Sequence, residues 1–173
     1  LAFEEGPGSV CFVALTYIIE PEALGEQKSK AAQLGMKRLM EMGVQPHLIA
    51  CRATNPVTPK VLEKIAMFSN VPKRRVFSMH DRQSIYTIPD DLRADGLDRE
   101  ILSVLGLHDR VDIRHEDISR QKWSGFVGKL TGERPFEIEV GITGKYADLR
   151  DAYASIDKAL EHCSAYFGVR ANL

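Results

Sequence analysis

The sequence has little cysteine and no long apolar run, and both absences limit the class of protein. Three cysteines are spread over 173 residues, and no two of them form a C-x-x-C pair. Because Cys11, Cys51 and Cys163 each have apolar neighbours, we expect reduced core thiols in a cytoplasmic protein, without a disulfide or metal role. No apolar run approaches the roughly 20 residues that cross a bilayer, and the N-terminus has no secretion signal, so we expect no membrane partner.

The sequence also lacks an excess of positively charged residues. The formal net charge is -1, whereas nucleic-acid binding needs a strongly basic face, so we expect no nucleic-acid partner and a local anion site at most. The composition, 44% hydrophobic and 27% charged, is typical of a globular protein. The chain opens with "LAFEEGPGSV", without an initiator methionine, and ends at "VRANL". We therefore expect a fragment of a longer protein.

Several catalytic signatures are absent from the sequence. There is no P-loop, G-x-x-x-x-G-K-[ST], no G-x-S-x-G and no cysteine elbow. The segment "GITGKYADLRDAY" does not match G-x-G-x-x-G and favours a tight turn with close strand–helix packing over a dinucleotide site. No catalytic triad can be assembled from these motifs.

Apolar strands and amphipathic helices alternate over the first hundred residues. The run "VCFVALTYI" (10–18) predicts a strand buried on both faces, which is typical of parallel sheets. Further strands are predicted at 47–53 and 74–81. Helices are predicted at 28–42, from Thr58-Pro59 onward with Val61, Leu62, Ile65, Ala66 and Phe68 buried, and as two short helices separated at Gly96. The alternation predicts an α/β fold with a parallel sheet.

The pattern changes after residue 106. A linker helix is predicted at 118–131, with an apolar face of Ile118, Trp123, Phe126, Val127 and Leu130, where Trp123 is a packing anchor. A strand at 136–146 and a strongly amphipathic helix follow. The apolar stripe of that helix is Leu149, Ala152, Tyr153, Ile156, Leu160, Cys163 and Phe167. This strand and helix indicate the opening of a second α/β domain.

Ligands of parallel sheets gather beyond the carboxyl ends of the strands, which here are the segments 19–30, 52–58 and 80–86. The first contains Lys28, Ser29 and Lys30, followed by Gln33. Lysine ammonium groups, a hydroxyl and an amide at a helix start can hold a triphosphate or a base edge, although a solvated helix start has the same composition.

The other two strand ends also carry polar groups. Arg52 can reach a phosphate or an adenine edge, and Lys64 can approach the same pocket as Lys28, although each is also an ordinary surface charge. His80, Asp81 and Arg82 follow the third strand. They suggest acid–base chemistry or a loop that frames a purine ring. His80 and Asp81 alone are too few ligands for a metal site.

Four segments in this order resemble CTP synthase, the glutamine-dependent family that aminates UTP. They are "GEQKSKAAQ", "CRATNPVTPKVLEKIAMFSNV", "HDRQSIYTIP" and "GKYADLRDAYASIDKALEH", which span residues 24 to about 165. The resemblance implies a portion of a three-layer, P-loop-like (Rossmann-like) synthetase domain in 1–107, a linker with a helix in 108–134, and the start of a glutamine amidotransferase domain in 135–173.

The resemblance also implies an activity. ATP phosphorylates the uracil 4-oxygen, ammonia from glutamine displaces that phosphate, Mg²⁺ is required, CTP inhibits, and nucleotides promote a homotetramer. The implied UTP- and CTP-binding residues are Lys28, Ser29, Lys30, Ala31, Ala32, Gln33 and Lys64. The implied ATP-binding residues are Arg52, His80, Asp81 and Arg82.

This sequence departs from the family pattern at two places. Where the family reads K-T-K-P-T-Q, Ala31 and Ala32 replace a proline and a hydroxyl, which predicts weaker pyrimidine binding. Arg82 replaces a small apolar residue beside the expected adenine. The family's P-loop and Mg²⁺-binding acids precede this region and its glutaminase nucleophile follows it. We therefore expect no catalytic residue, no metal ligand and no CTP formation in the isolated chain; a non-catalytic nucleotide-binding or oligomer-regulating relative is the alternative.

Overall fold

A computed structural model of the chain describes residues 2–21, 25–145 and 149–172. Two predicted features extend outside these ranges. Residues 22–24 of the first strand-end segment and residues 146–148 around the end of the predicted strand 136–146 lie outside the described residues. The chain divides into two units, residues 1–111 and 112–173.

The first unit is built on a parallel sheet of three strands in the order β1-β2-β3. In register, Thr16 of β1 lies opposite Cys51 of β2, and Cys51 lies opposite Ser78 of β3. The strands are β1 (Val13–Tyr17), β2 (Leu48–Ala53) and β3 (Val76–His80). The predicted α/β class with a parallel sheet is confirmed.

Helices connect the strands and follow the last of them. Apart from the short N-terminal α1 (Ala2–Glu5), they are α2 (Lys30–Glu41), α3 (Pro59–Ser69), α4 (Ile88–Ala94) and α5 (Leu97–Leu105). Thr58 precedes α3 and Pro59 is its first residue, as predicted. Gly96 separates α4 from α5 with φ +86°, a left-handed conformation that favours glycine.

The core of this unit lies between the sheet and α2 and α3. Ile65 and Cys51 are fully buried, and Met36 and Val61 pack in the same cluster. The prediction that Phe68 belongs to this core was wrong, because Phe68 projects from α3 with more than half of its surface exposed.

Strand β1 differs from the prediction of burial on both faces. Ala14 packs toward the helices, whereas Val13, Leu15 and Tyr17 are exposed. Successive side chains of a strand point to opposite faces, so one face of β1 is covered and the other is open. β1 lies at the edge of the described sheet, whereas β2, between two strands, is buried along almost its whole length.

The second unit contains the helix that was predicted as a linker and a small parallel sheet. Its elements are α6 (Ile113–Thr131), β4 (Phe136–Glu139), α7 (Ala154–Phe167) and β5 (Val169–Asn172), with β4 paired to β5. The helix α6 begins earlier than predicted because the Asp112 carboxylate accepts hydrogen bonds from the Arg114 and His115 N–H groups.

The apolar stripe that was predicted for α7 is mostly exposed. Ile156, Cys163 and Phe167 are exposed, and the buried residues of the helix are Ser164 and Ala165. All four residues of β4 are exposed as well, including the apolar Phe136 and Ile138. At Gly144, which follows β4 in the chain, a Cβ atom would collide with the Tyr153 hydroxyl.

The cysteines are all free thiols, but they do not all lie in the core. Burial raises the pKa of Cys51 to about 12. Cys11 is half-buried, and Cys163 is exposed, so the prediction of a core thiol was wrong for Cys163. Within the described ranges, no helix combines the length and apolar character needed to span a membrane.

Candidate functional site

The loop after β1 turns back to place Lys28 directly before α2. The Lys28 N–H donates to the Ile19 carbonyl at 2.7 Å, which forms an isolated antiparallel bridge. Gly25 adopts φ +56°, and its N–H donates to the Pro21 carbonyl at 3.1 Å. The main chain of this segment is therefore held from both sides, while its lysine side chains remain accessible.

The residues around the start of α2 divide into accessible and packed groups. Lys30, the first residue of α2, is exposed, as is Ala31. Ser29 is buried, and its Oγ accepts a hydrogen bond from Gln33 Nε2 at 2.9 Å. Ala32 belongs to the core. The cationic groups here are therefore open to a ligand, whereas Ser29 and Gln33 already satisfy each other.

One lysine contacts a carboxylate beside this helix start, and two further lysines act on it electrostatically. Lys28 Nζ lies 2.7 Å from Glu26 Oε2. The hydrogen bond from Lys28 and then its positive charge, with contributions from Lys60 and Lys64 on α3, lower the pKa of Glu26. Lys28 and Lys64, which are distant in sequence, are thus near the same point at the rim of the sheet.

A glutamine joins the two loops that carry these lysines. Gln27 Nε2 donates to the Pro56 carbonyl at 2.9 Å, and its Oε1 accepts from the Thr58 N–H at 2.9 Å. Glu20 reinforces the junction by accepting from Asn55 Nδ2 at 3.0 Å. Sequence reasoning missed Gln27 and Glu26, and the only signal for them was their position inside the segment "GEQKSKAAQ".

The ends of β2 and β3 form a second cluster around a cavity of about 250 Å³. Arg52 pairs with Asp81 and also donates to the Met79 carbonyl at 3.3 Å. Arg82 pairs with Asp91 of α4, with Nε 3.0 Å from Oδ2. The lining combines these charged groups with apolar side chains, namely Met79, Ile85, Ile88 and Leu92.

His80 is oriented within this cluster by Ser78. The Ser78 Oγ accepts from the Val57 N–H at 3.0 Å and lies 3.1 Å from His80 Nδ1. Ser78 therefore holds the His80 ring in place at the end of β3.

The two clusters are suited to binding charged and planar groups. The first presents several ammonium groups, which attract polyphosphate, and the second combines a fixed guanidinium with an apolar wall. Among the described residues, no three His, Cys, Asp or Glu side chains group closely enough to hold a metal ion by themselves.

Comparison with known families agrees with this geometry. The family described as CTP synthase N-terminus matches residues 1–107, which contain β1, β2, β3 and both clusters. The match covers more than half of the 173 residues. The chain belongs to the CTP synthase N-terminus family.

Proposed function

We propose that the chain carries nucleotide-binding parts of an enzyme that aminates UTP to CTP, with ATP as the energy source and glutamine as the nitrogen donor. Lys28, Lys30 and Lys64 hold the pyrimidine nucleotide through its phosphates, and the Ser29–Gln33 segment shapes that site. Arg52 and residues 80–82 hold ATP. The proposal includes the family's Mg²⁺ requirement, a homotetramer and a cytoplasmic location.

The observation that carries this proposal is the meeting of Lys28 and Lys64 near one carboxylate. The two lysines lie on different elements, and both lower the pKa of Glu26. Like charges in one region repel each other and a bound anion relieves that repulsion, and the exposed Glu26 side chain leaves this region open to solvent. A nucleotide polyphosphate supplies the negative charge that such an arrangement stabilises.

The second cluster supports the ATP assignment. Its apolar wall of Ile85, Ile88 and Leu92 suits the face of a purine, and Arg52 supplies a positive charge at the opening. Arg82, where the family has a small apolar residue, is paired with Asp91 along the wall. Because Asp91 holds it there, the length of Arg82 is compatible with a bound base.

The test is a calorimetric titration of UTP and CTP into the wild-type chain and a K28A/K30A double variant. Because a hydrogen bond to a charged group contributes about 1.5–3 kcal/mol, we expect the affinity for both nucleotides to fall about tenfold or more. A K37A/K73A variant, which removes two exposed lysines elsewhere, is the matched control. Unchanged affinity in K28A/K30A would contradict the phosphate assignment.

The alternative is a relative that binds nucleotides without catalysing amination. The substitutions at Ala31 and Ala32 favour it, since they remove a rigid proline and a hydroxyl from the family's pyrimidine-binding segment. The two functions are separated by assaying the full gene product for CTP formation from UTP, ATP and glutamine. Nucleotide binding without turnover in that assay supports the alternative.

A further inference from the structure

We infer that Glu26 is an internal competitor for the nucleotide phosphates: its carboxylate occupies the lysine cluster in the free protein and leaves when a polyphosphate binds. This inference rests on the proposed pyrimidine-nucleotide site. It assigns to Glu26 the role of setting the affinity of that site, and it predicts an increase in affinity when a residue of the site loses its charge.

The first support for this inference is the position of the Glu26 carboxylate. Glu26 Oε2 lies 2.7 Å from Lys28 Nζ, which is an ordinary distance for an ammonium and an anionic oxygen. The positive charges of Lys60 and Lys64 on α3 add to that of Lys28 in lowering the pKa of Glu26. A phosphate oxygen that accepted the Lys28 Nζ–H now donated to Glu26 Oε2 would displace this carboxylate.

The second support for the inference is the local balance of charge around Glu26. Three lysines near one glutamate leave an excess of two positive charges, so the carboxylate neutralises the cluster only in part. A nucleoside triphosphate carries more negative charge than one carboxylate and can make several hydrogen bonds to the same ammonium groups. The polyphosphate is therefore the stronger partner for these ammonium groups.

The cost of displacement is small. The Glu26 side chain is 69% exposed, and exposed ion pairs contribute little to stability. The main chain of Lys28 is independently fixed by its bond to Ile19, and Gln27 holds the loop to the start of α3. The carboxylate can therefore swing into solvent while the frame of the site stays in place.

The test compares the wild-type chain with E26Q, titrated with UTP, inorganic triphosphate and uridine. We expect UTP and triphosphate to bind E26Q about two- to fivefold more tightly, the range set by an exposed ion pair, and uridine to show no difference. E41Q is the matched control: Glu41 is an exposed, ion-paired glutamate about three helical turns away, at the far end of α2. Its UTP affinity should equal that of the wild type.

A second measurement follows the Glu26 carboxyl by ¹³C NMR in the wild-type chain. Its pKa should rise when UTP is bound, because the carboxylate has lost its lysine partners. Equal or weaker UTP binding by E26Q, or an unchanged Glu26 pKa in the UTP complex, would overturn this inference and leave the proposed function standing. If UTP binds neither protein, both the inference and the proposed function fail.

Discussion

Arg52 and Asp81 pair across the ends of the neighbouring strands β2 and β3. The Asp81 N–H also donates to the Ala53 carbonyl at 3.1 Å. Asp81 is therefore bonded to the main chain of β2, the strand that carries Arg52. The guanidinium is thereby fixed along the opening of the 250 Å³ cavity. A fixed charge loses less conformational freedom on binding than a mobile one.

Replacing this arginine should affect one nucleotide and not the other. In R52A we expect ATP affinity to fall about tenfold, because one charge-assisted hydrogen bond is lost, and UTP affinity to stay the same. Calorimetric titration with each nucleotide measures both. R38A, which removes a paired arginine from the exposed side of α2, is the control. An equal loss for UTP would show that the two clusters are not separate sites.

The Ser78 hydroxyl should contribute to stability as well as to the orientation of His80. In S78A the Val57 N–H loses its acceptor beside a buried side chain, which should lower the free energy of unfolding by about 1–3 kcal/mol. Urea denaturation followed by circular dichroism measures this change. S103A, at an exposed position of α5, should leave the midpoint unchanged. If S78A and S103A had similar urea midpoints, the Val57 N–H would have found another acceptor.

Glu100 should make stability depend on pH in the acid range. It accepts hydrogen bonds from Arg75 at 2.6 Å and Arg74 at 3.0 Å, and the bond from Arg75 is the main cause of a pKa below the ordinary value of 4.5. For a carboxyl with a lowered folded pKa, the stabilisation is present above the unfolded value and is lost as the pH falls through the folded value. The expected window therefore lies below pH 4.5.

The variant E100Q tests this window. We expect it to be less stable than the wild type by about 1 kcal/mol at pH 7, and the difference should shrink as the pH falls below 4.5. Urea unfolding at a series of pH values gives the difference directly. E63Q, whose carboxylate lies 4.0 Å from Lys73 on the surface, should follow the wild-type curve. A difference that grows toward low pH would contradict the assignment.

Thiol reactivity should follow burial. Cys51 is fully buried with a pKa of about 12, so it has almost no thiolate at pH 8 and should resist iodoacetamide in the native chain. Cys163 is exposed and should be alkylated first, with Cys11 slower because burial raises its pKa. Peptide mass spectrometry at timed intervals measures the order. Rapid labelling of Cys51 without denaturant would indicate that the sheet opens locally.

The first unit was predictable because most of its strands and helices bury the apolar residues that their sequence pattern places on one face. The alternating strands and helices predicted β2, α2 and α3 closely, and Pro59 marked the start of α3. The predicted order of strands also placed Arg52 and His80 at one edge of the sheet, since parallel strands end together. These outcomes depend on local patterns, which a single sequence contains.

The remaining features depend on partners that local patterns do not specify. The exposed face of β1 and the exposed apolar residues of α7 depend on which elements pack against them, and the local sequence pattern does not record that. Glu26 and Gln27 were missed for a similar reason. Gln27 bonds to Pro56 and Glu26 is influenced by the charge of Lys64, about thirty or more residues away, and no spacing rule connects those positions.

The edge position of β1 has a consequence for the colloidal behaviour of the chain. Within the described residues β1 is paired along one side only, and its sequence VALTY contains neither the lysine nor the proline that discourages pairing between molecules. Its open face adds Leu15 and Tyr17 to the unpaired backbone. Concentrated solutions should therefore scatter light through strand addition between copies while the helical circular dichroism is still native, and a lysine at position 15 should delay the onset.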